Sequence, residues 1–247
     1  MTFATLIALA LMQPASAGPD IPGLCAQLAA TGANTPAEQH NLATCHYAGV
    51  AVDQDFPRAR ELYEQAARRG HGKAQCALGR MLMRGLGGEE DAARGVILCR
   101  AGAEDGDADA QAELGRLYLA GAFGVERDPA AARRWLLRAA EQGEGGAALL
   151  LGRSYWNSED GGRDAAAAAR WGEVAYVAGE PSAALLVGQA LVFALSEAGP
   201  PEEADPAAVD AAILWFTRAA EIEPDTEKRQ VAVRMLARLR DIREGLE

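Results

Sequence analysis

Apolar positions along the chain recur with two periods, a short one that forms helices and a long one that copies them. Within Ala110 to Ala120, Leu114, Leu117 and Tyr118 fall at i, i+3 and i+4, which is one face of a helix. The same face returns down the chain. Leu42-Ala43, Leu78-Gly79, Leu114-Gly115, Leu151-Gly152 and Val187-Gly188 stand 36, 36, 37 and 36 residues apart. A second ladder, Leu62, Leu98, Trp135, Trp171 and Trp215, carries Ala or Gly three residues before each member: Ala59, Gly95, Ala132, Ala168 and Ala212. Gly70, Gly106, Gly143 and Gly179 follow the first four members by eight residues. Three ladders in step predict an all-α chain built from a repeated pair of helices, A and then B.

The polar positions mark where each helix starts and stops. Helix A ends at Gly49, Gly85 and Gly121 in the first three units, where glycine can adopt the positive φ that closes a helix. Helix B begins at Asp55, Asp91, Asp128 and Asp164, each seven residues before its Leu or Trp, where a carboxylate can accept from the unpaired N–H groups of the first turn. Pro129 follows Asp128 at the position where a missing N–H is harmless. The fifth unit moves this signal to Asp205-Pro206, lengthening its connection by about eight residues. Gly79, Gly115, Gly152 and Gly188 lie inside helix A, where glycine is about 1 kcal/mol worse than Ala. Their recurrence predicts a close approach of helix B, with Ala66-Ala67, Ala139-Ala140 and Ala219-Ala220 at the same contact and Trp135, Trp171 and Trp215 as the large core residues.

The run Leu-Gly-x-Leu-Tyr-x-x-Gly-x-x-Gly-Val-x-x-Asp, then Ala-x-x-Trp and Ala-Ala-x-x-Gly, from Leu114 to Gly143 resembles the Sel1-like repeat, an offshoot of the tetratricopeptide repeat. The resemblance implies a right-handed α-solenoid of five units, at residues 37–72, 73–108, 109–145, 146–181 and 182–223. Departures are Ala43 and His46 in unit one, Ser158 for the loop glycine of unit four, and Val187 and Glu223 in unit five. Residues 18–36 then form an N-terminal cap, with Ile21, Leu24, Cys25 and Leu28 on a lone helix. Residues 224–247 form a C-terminal cap, where Pro224 ends unit five and Val231, Met235, Leu236, Leu239 and Ile242 share one face. The family resemblance implies an adaptor, since exported members include regulators that bind the outer portion of a membrane sensor. It also offers an alternative, since cysteine-rich members are β-lactam-binding or β-lactam-hydrolysing enzymes. Those space their cysteine pairs eight positions apart, and no two cysteines here are so spaced.

Charge and cysteine narrow the setting. The formal net charge is −11, which argues against nucleic acid as a partner because phosphates require an excess of Lys and Arg. Only Lys73 and Lys228 break an otherwise all-Arg set of cations, and Arg is the better fork for a partner's carboxylates. The uncharged run Thr2 to Met12, followed by Ala15-Ser16-Ala17, reads as a signal peptide at residues 1–17 with cleavage after Ala17, placing the protein in the periplasm or outside the cell. No other stretch is long and apolar enough to span a bilayer. In an oxidising compartment, Cys25, Cys45, Cys76 and Cys99 allow three pairings. Cys25 with Cys45 and Cys76 with Cys99 are favoured, each pair sitting at one level of a helix hairpin, and four buried thiols are the alternative.

Catalytic chemistry is not readable. His40, His46 and His71 lie in separate elements without H-x-x-x-H or C-x-x-C spacing, so neither a metal nor another cofactor is expected. Gly-x-Ser-x-Gly, Walker and Ser-x-x-Lys patterns are missing, and the expectation is a protein that is not an enzyme. Two residues after the ladder Leu stand Arg80, Arg116 and Arg153, with Arg84 one turn beyond Arg80. If helix A lines the concave side, these form a positive strip for an acidic segment of another protein, such as a membrane sensor's periplasmic domain. The competing reading is an ordinary solvated face with each Arg paired to a Glu or Asp of a neighbouring unit. Tyr155 and Trp156, at the edge of that surface, are where a cell-envelope glycan would stack if glycan were the ligand.

Overall fold

Helix starts follow the acceptor side chains. The computed structural model describes residues 20–157, 163–223 and 225–246, so the proposed leader and its cleavage point, Ser158 and Pro224 lie outside the described residues. Among these residues there are twelve α-helices and no strand. They are α1 (Ile21–Thr31), α2 (Pro36–Ala48), α3 (Phe56–Arg68), α4 (Gly72–Met83), α5 (Ala92–Glu104), α6 (Ala108–Ala120), α7 (Pro129–Glu141), α8 (Gly145–Trp156), α9 (Ala165–Val177), α10 (Ala183–Ala198), α11 (Pro206–Ile222) and α12 (Thr226–Gly245). A 3₁₀ turn at Pro201–Glu203 separates α10 from α11.

The aspartates cap helix B as their position requires. The carboxylates of Asp55, Asp91, Asp128 and Asp164 accept from the N–H groups of Arg58, Arg94, Ala131 and Ala167 at 2.8 to 3.0 Å. Each of these residues also donates its own N–H to a carbonyl near the end of the preceding helix A: His46, Leu82, Tyr118 and Tyr155 respectively. Gly49 and Gly121 close α2 and α6 in the left-handed region, at φ 70° and 63°. Asp205 takes the same capping role for α11, accepting from Ala207.

The chain divides into two bodies, one ending at Ala139 and the other beginning at Ala140. In the first, α2 with α3 and α4 with α5 form hairpins around Leu42, Leu62, Tyr63, Leu78, Met81 and Leu82, and the packing continues through Met83, Val96, Leu114 and Leu117. Two disulfides lie here. Cys25–Cys45 joins α1 to α2 and Cys76–Cys99 joins α4 to α5. In the second body, α8 with α9 and α10 with α11 pair, and α12 packs on α11 through Ala232, Leu236 and Leu239. No helix among the described residues is long and apolar enough to cross a membrane.

The glycines make the contacts their recurrence implies, although the partner residue differs from the expected one. A Cβ on Gly79 would lie 2.6 Å from the Gly95 carbonyl oxygen, and one on Gly95 would lie 2.5 Å from that of Gly79. On Gly115 it would meet Leu136 at 2.6 Å, and on Gly188 it would meet Phe216 at 3.0 Å. Trp135 and Trp171 are therefore not the main core residues and are only partly buried, while Trp215 is 6% exposed. One residue along a helix is a rotation of about 100°, and here Leu136, Gly172 and Phe216 meet the helix-A glycines, with Trp135 and Trp171 turned partly to solvent and Trp215 still in the core. Gly152 and Gly172 leave room instead for Leu186 and Val187 of α10.

Candidate functional site

Each arginine of the expected strip is presented by helix A or its end, and the two bodies carry them separately. Arg80 and Arg116 lie on α4 and α6, and Arg84 caps the C-terminal end of α4. Arg116 is exposed, and its Nε donates to Glu113 at 3.2 Å, one turn back on the same helix. Glu113 is only 7% exposed, yet the arginine side of this pair stays wet, so the pair adds little stability. Among the described residues, Arg80, Arg84 and Arg153 have no ion pair. The one ion pair of the four thus runs within a helix, and none joins these arginines to a carboxylate of a neighbouring unit among the described residues.

In the second body, Arg153 and Trp156 on α8 line an open cleft of about 430 Å³ with Ser182 at the start of α10, Gln189 on α10, Glu223 at the end of α11 and Lys228 in the first turn of α12. The Arg163 guanidinium lies over the Trp156 ring at 4.0 Å, and Phe193 meets that ring edge-on with centroids 5.8 Å apart. The indole is thereby held in place rather than left to swing. Tyr155 is partly buried, its carbonyl accepts from Asp164, and its side chain is not part of the cleft lining. The cleft brings together Arg153, Lys228 paired with Asp225, the largely buried Glu223, a fixed aromatic edge and amide and hydroxyl groups, so Arg153 is its one cation without an ion pair among the described residues.

The first body holds a cluster that spacing alone does not show, and His40 and His46 share α2 rather than lying in separate elements. His40 on α2 and His71 at the start of α4 stack with ring centroids 5.1 Å apart, and Tyr63 of α3 lies 5.5 Å from His40 while its hydroxyl meets Thr44 Oγ1 at 2.9 Å. The only sequence signal was that Thr44 occupies the row of Arg80 and Arg116. Burial, with smaller contributions from His71 and Lys73, holds the His40 pKa below its usual value against the opposing effects of Asn41 and Asp109. A base that is harder to protonate when folded stabilises the fold above the ordinary imidazole pKa and loses that stability as pH falls through it. The first body is therefore expected to melt at lower temperature as pH drops from 7 towards 5, and His40→Asn is expected to flatten that dependence in thermal melts followed by circular dichroism. In the second body, burial raises the pKa of Glu173, with Arg218 opposing it. No group of three or more His, Cys, Asp or Glu suited to a metal occurs among the described residues.

With this geometry in hand, comparison with known proteins settles the family. The Sel1 repeat family model matches residues 39–71, 72–107, 108–144, 146–176 and 183–222. The chain belongs to the Sel1 repeat family. Among solved structures, a Sel1 repeat protein from Oxalobacter formigenes is 25% identical, with a TM-score of 0.64 over 83% of this chain and 88% of that one. A protective antigen present in uropathogenic Escherichia coli strains, displaying an SLR fold, is 26% identical with a TM-score of 0.61. The match covers 98% of this chain but 58% of that one, so this chain spans little more than half of the antigen's length. No curated protein sequence matches. The fold class is that of all-α, solenoid-type Sel1 repeats, a scaffold that mediates protein–protein interaction.

Proposed function

We propose that this Sel1 repeat protein is a non-enzymatic scaffold of the periplasm or cell exterior that holds an acidic segment of a partner protein on its helix-A surfaces. Arg80, Arg84 and Arg116 serve in the first body, and Arg153 with Trp156 in the second. The observation that carries the reading is the open cleft at Arg153: a chain of net charge −11 presents there an arginine without an ion pair among the described residues, beside Lys228 and an indole clamped by Arg163. A guanidinium left exposed in an acidic chain is a ready fork for a partner's carboxylates. The apolar leader and the two disulfides support an extracytoplasmic site.

The test is photocrosslinking in cells from a photoreactive residue replacing Gln189, which lines the cleft, followed by affinity measurement with the captured protein. Replacing Arg80, Arg116 and Arg153 together by Ala is expected to weaken that complex by about 10- to 100-fold, consistent with one or two lost charge-assisted contacts. The loss is expected to shrink as salt is raised. Unchanged affinity in the triple variant rejects the arginine surface.

A further inference from the structure

The fifth repeat departs from the other four, and its surplus residues build a cavity. From Val187 to Trp215 the numbering advances by 28, where the equivalent steps in the other repeats are 20 or 21. The extra chain lengthens α10 to 16 residues and α11 to 17, and supplies the 3₁₀ turn between them. Together with α12 these elements line a half-open cavity of about 330 Å³. Val192 and Leu195 of α10, Val209 of α11, and Met235, Leu239 and Ile242 of α12 form its apolar wall.

One cation stands at this wall and no carboxylate does. Arg238 of α12 is part of the lining, is exposed, and has no hydrogen bond or ion pair among the described residues. Of the four other arginines of the same helix, Arg229 bonds the Glu223 carbonyl and Arg243 pairs with Asp210, while Arg234 and Arg240 are exposed and are not part of the lining. The two neighbouring hollows differ in this respect, since Glu223 lines one and Glu203 and Asp205 line the other. An apolar chamber with a single unpaired guanidinium selects a ligand with an apolar body and one anionic end.

We propose that this cavity binds a single-chain amphiphile with a carboxylate head, its tail among Leu195, Met235, Leu239 and Ile242 and its head on Arg238. The volume lies at the lower end of the range for small-molecule sites, which fits a medium-length tail rather than a two-chain lipid. The unbranched Met235 thioether adapts to a flexible tail, and the guanidinium matches the carboxylate fork. The inference uses none of the residues assigned to partner binding, so the Arg80, Arg116 and Arg153 triple variant is expected to retain it.

Calorimetric titration of the whole protein with hexanoate, octanoate and decanoate, each below its micelle concentration, tests the proposal. Saturable one-to-one binding is expected to tighten about fourfold per added methylene, the ratio that corresponds to about 0.8 kcal/mol per buried CH₂. Decyltrimethylammonium, which has the same tail and the opposite head, is expected to bind at least tenfold more weakly than decanoate. Arg238→Ala is expected to weaken decanoate binding about tenfold, and Val192→Phe, which fills the chamber, to abolish it. Absence of saturation, equal affinity for the two head groups, or decanoate binding untouched by either substitution overturns the proposal. If Val192→Phe fails to fold, the head-group comparison on the unaltered protein decides.

Discussion

Reduction of the disulfides is expected to destabilise the first body by about 3 kcal/mol for each bond, lowering its melting temperature by more than about 10 °C. The cross-links span 20 and 23 residues, so each removes a substantial part of the unfolded chain's freedom. Both cystines are buried, with Cys25, Cys45, Cys76 and Cys99 all 3% exposed or less. Thiols left in their place remain packed, and the loss therefore comes through the unfolded state more than through a cavity. The effect is regional, because all four cysteines precede Ala139 and the second body contains none. Hydrogen exchange with and without reductant is the direct measurement. Faster exchange across α1 to α5, with α9 to α12 unchanged, is the expected pattern, and uniform protection in both conditions would contradict it.

The second large effect is expected from Gly95→Val, at about 3 kcal/mol or more. Gly79 and Gly95 face one another across α4 and α5, each with the other's carbonyl oxygen within 2.6 Å of where a Cβ would stand. Both obstacles are helical backbone, which cannot rotate aside as a side chain could. A Cβ on Gly95 would also meet Met83 Cγ at 2.6 Å, on a residue that is 2% exposed. The two helices would have to separate, and the packing of Cys76, Met83 and Cys99 would separate with them. Gly245→Ala is the control, since nothing lies within 4 Å of a Cβ there. Chemical denaturation is expected to show a large fall for the first substitution and a change within about 0.5 kcal/mol for the second. A fall of less than about 1 kcal/mol for Gly95→Val would mean that the helices are not held so close.

Elements encoded by local chemistry were legible in the sequence. Asp55, Asp91, Asp128 and Asp164 mark helix starts because capping needs only a carboxylate and the next three residues, and Gly49 and Gly121 mark helix ends for an equally local reason. Direction within the core was not. Trp135 and Trp171 draw attention by size, yet the rotation of helix B about its axis decides which residue meets helix A, and Leu136 and Gly172 occupy the inner row. A repeat position shared by Tyr63, Cys99, Leu136, Gly172 and Phe216 shows no common residue type, because each size is matched to a different partner. The candidate site divides similarly. Arg153 and Trp156 could be named from their rows, whereas Gln189, Glu223 and Lys228 enter the cleft from helices whose approach no short-range pattern records. The His40–His71 stack is of this second kind, as is the chamber beside Arg238.

The backbone bond from the capping aspartate to the end of helix A has a consequence for how such chains diversify. It recurs at His46–Asp55, Leu82–Asp91, Tyr118–Asp128 and Tyr155–Asp164, and it survives the one-residue insertion of the third unit. These four bends from helix A to helix B are thereby cinched at the base, which leaves the helix-closing glycines Gly49 and Gly121 and the buried Val125 as the positions above the cinch that still shape the hairpin. Mutation can lengthen, shorten or recharge those bends while the hairpin below keeps its form. A lineage can thus try new binding chemistry at the tips of the molecule without first losing the fold that displays it.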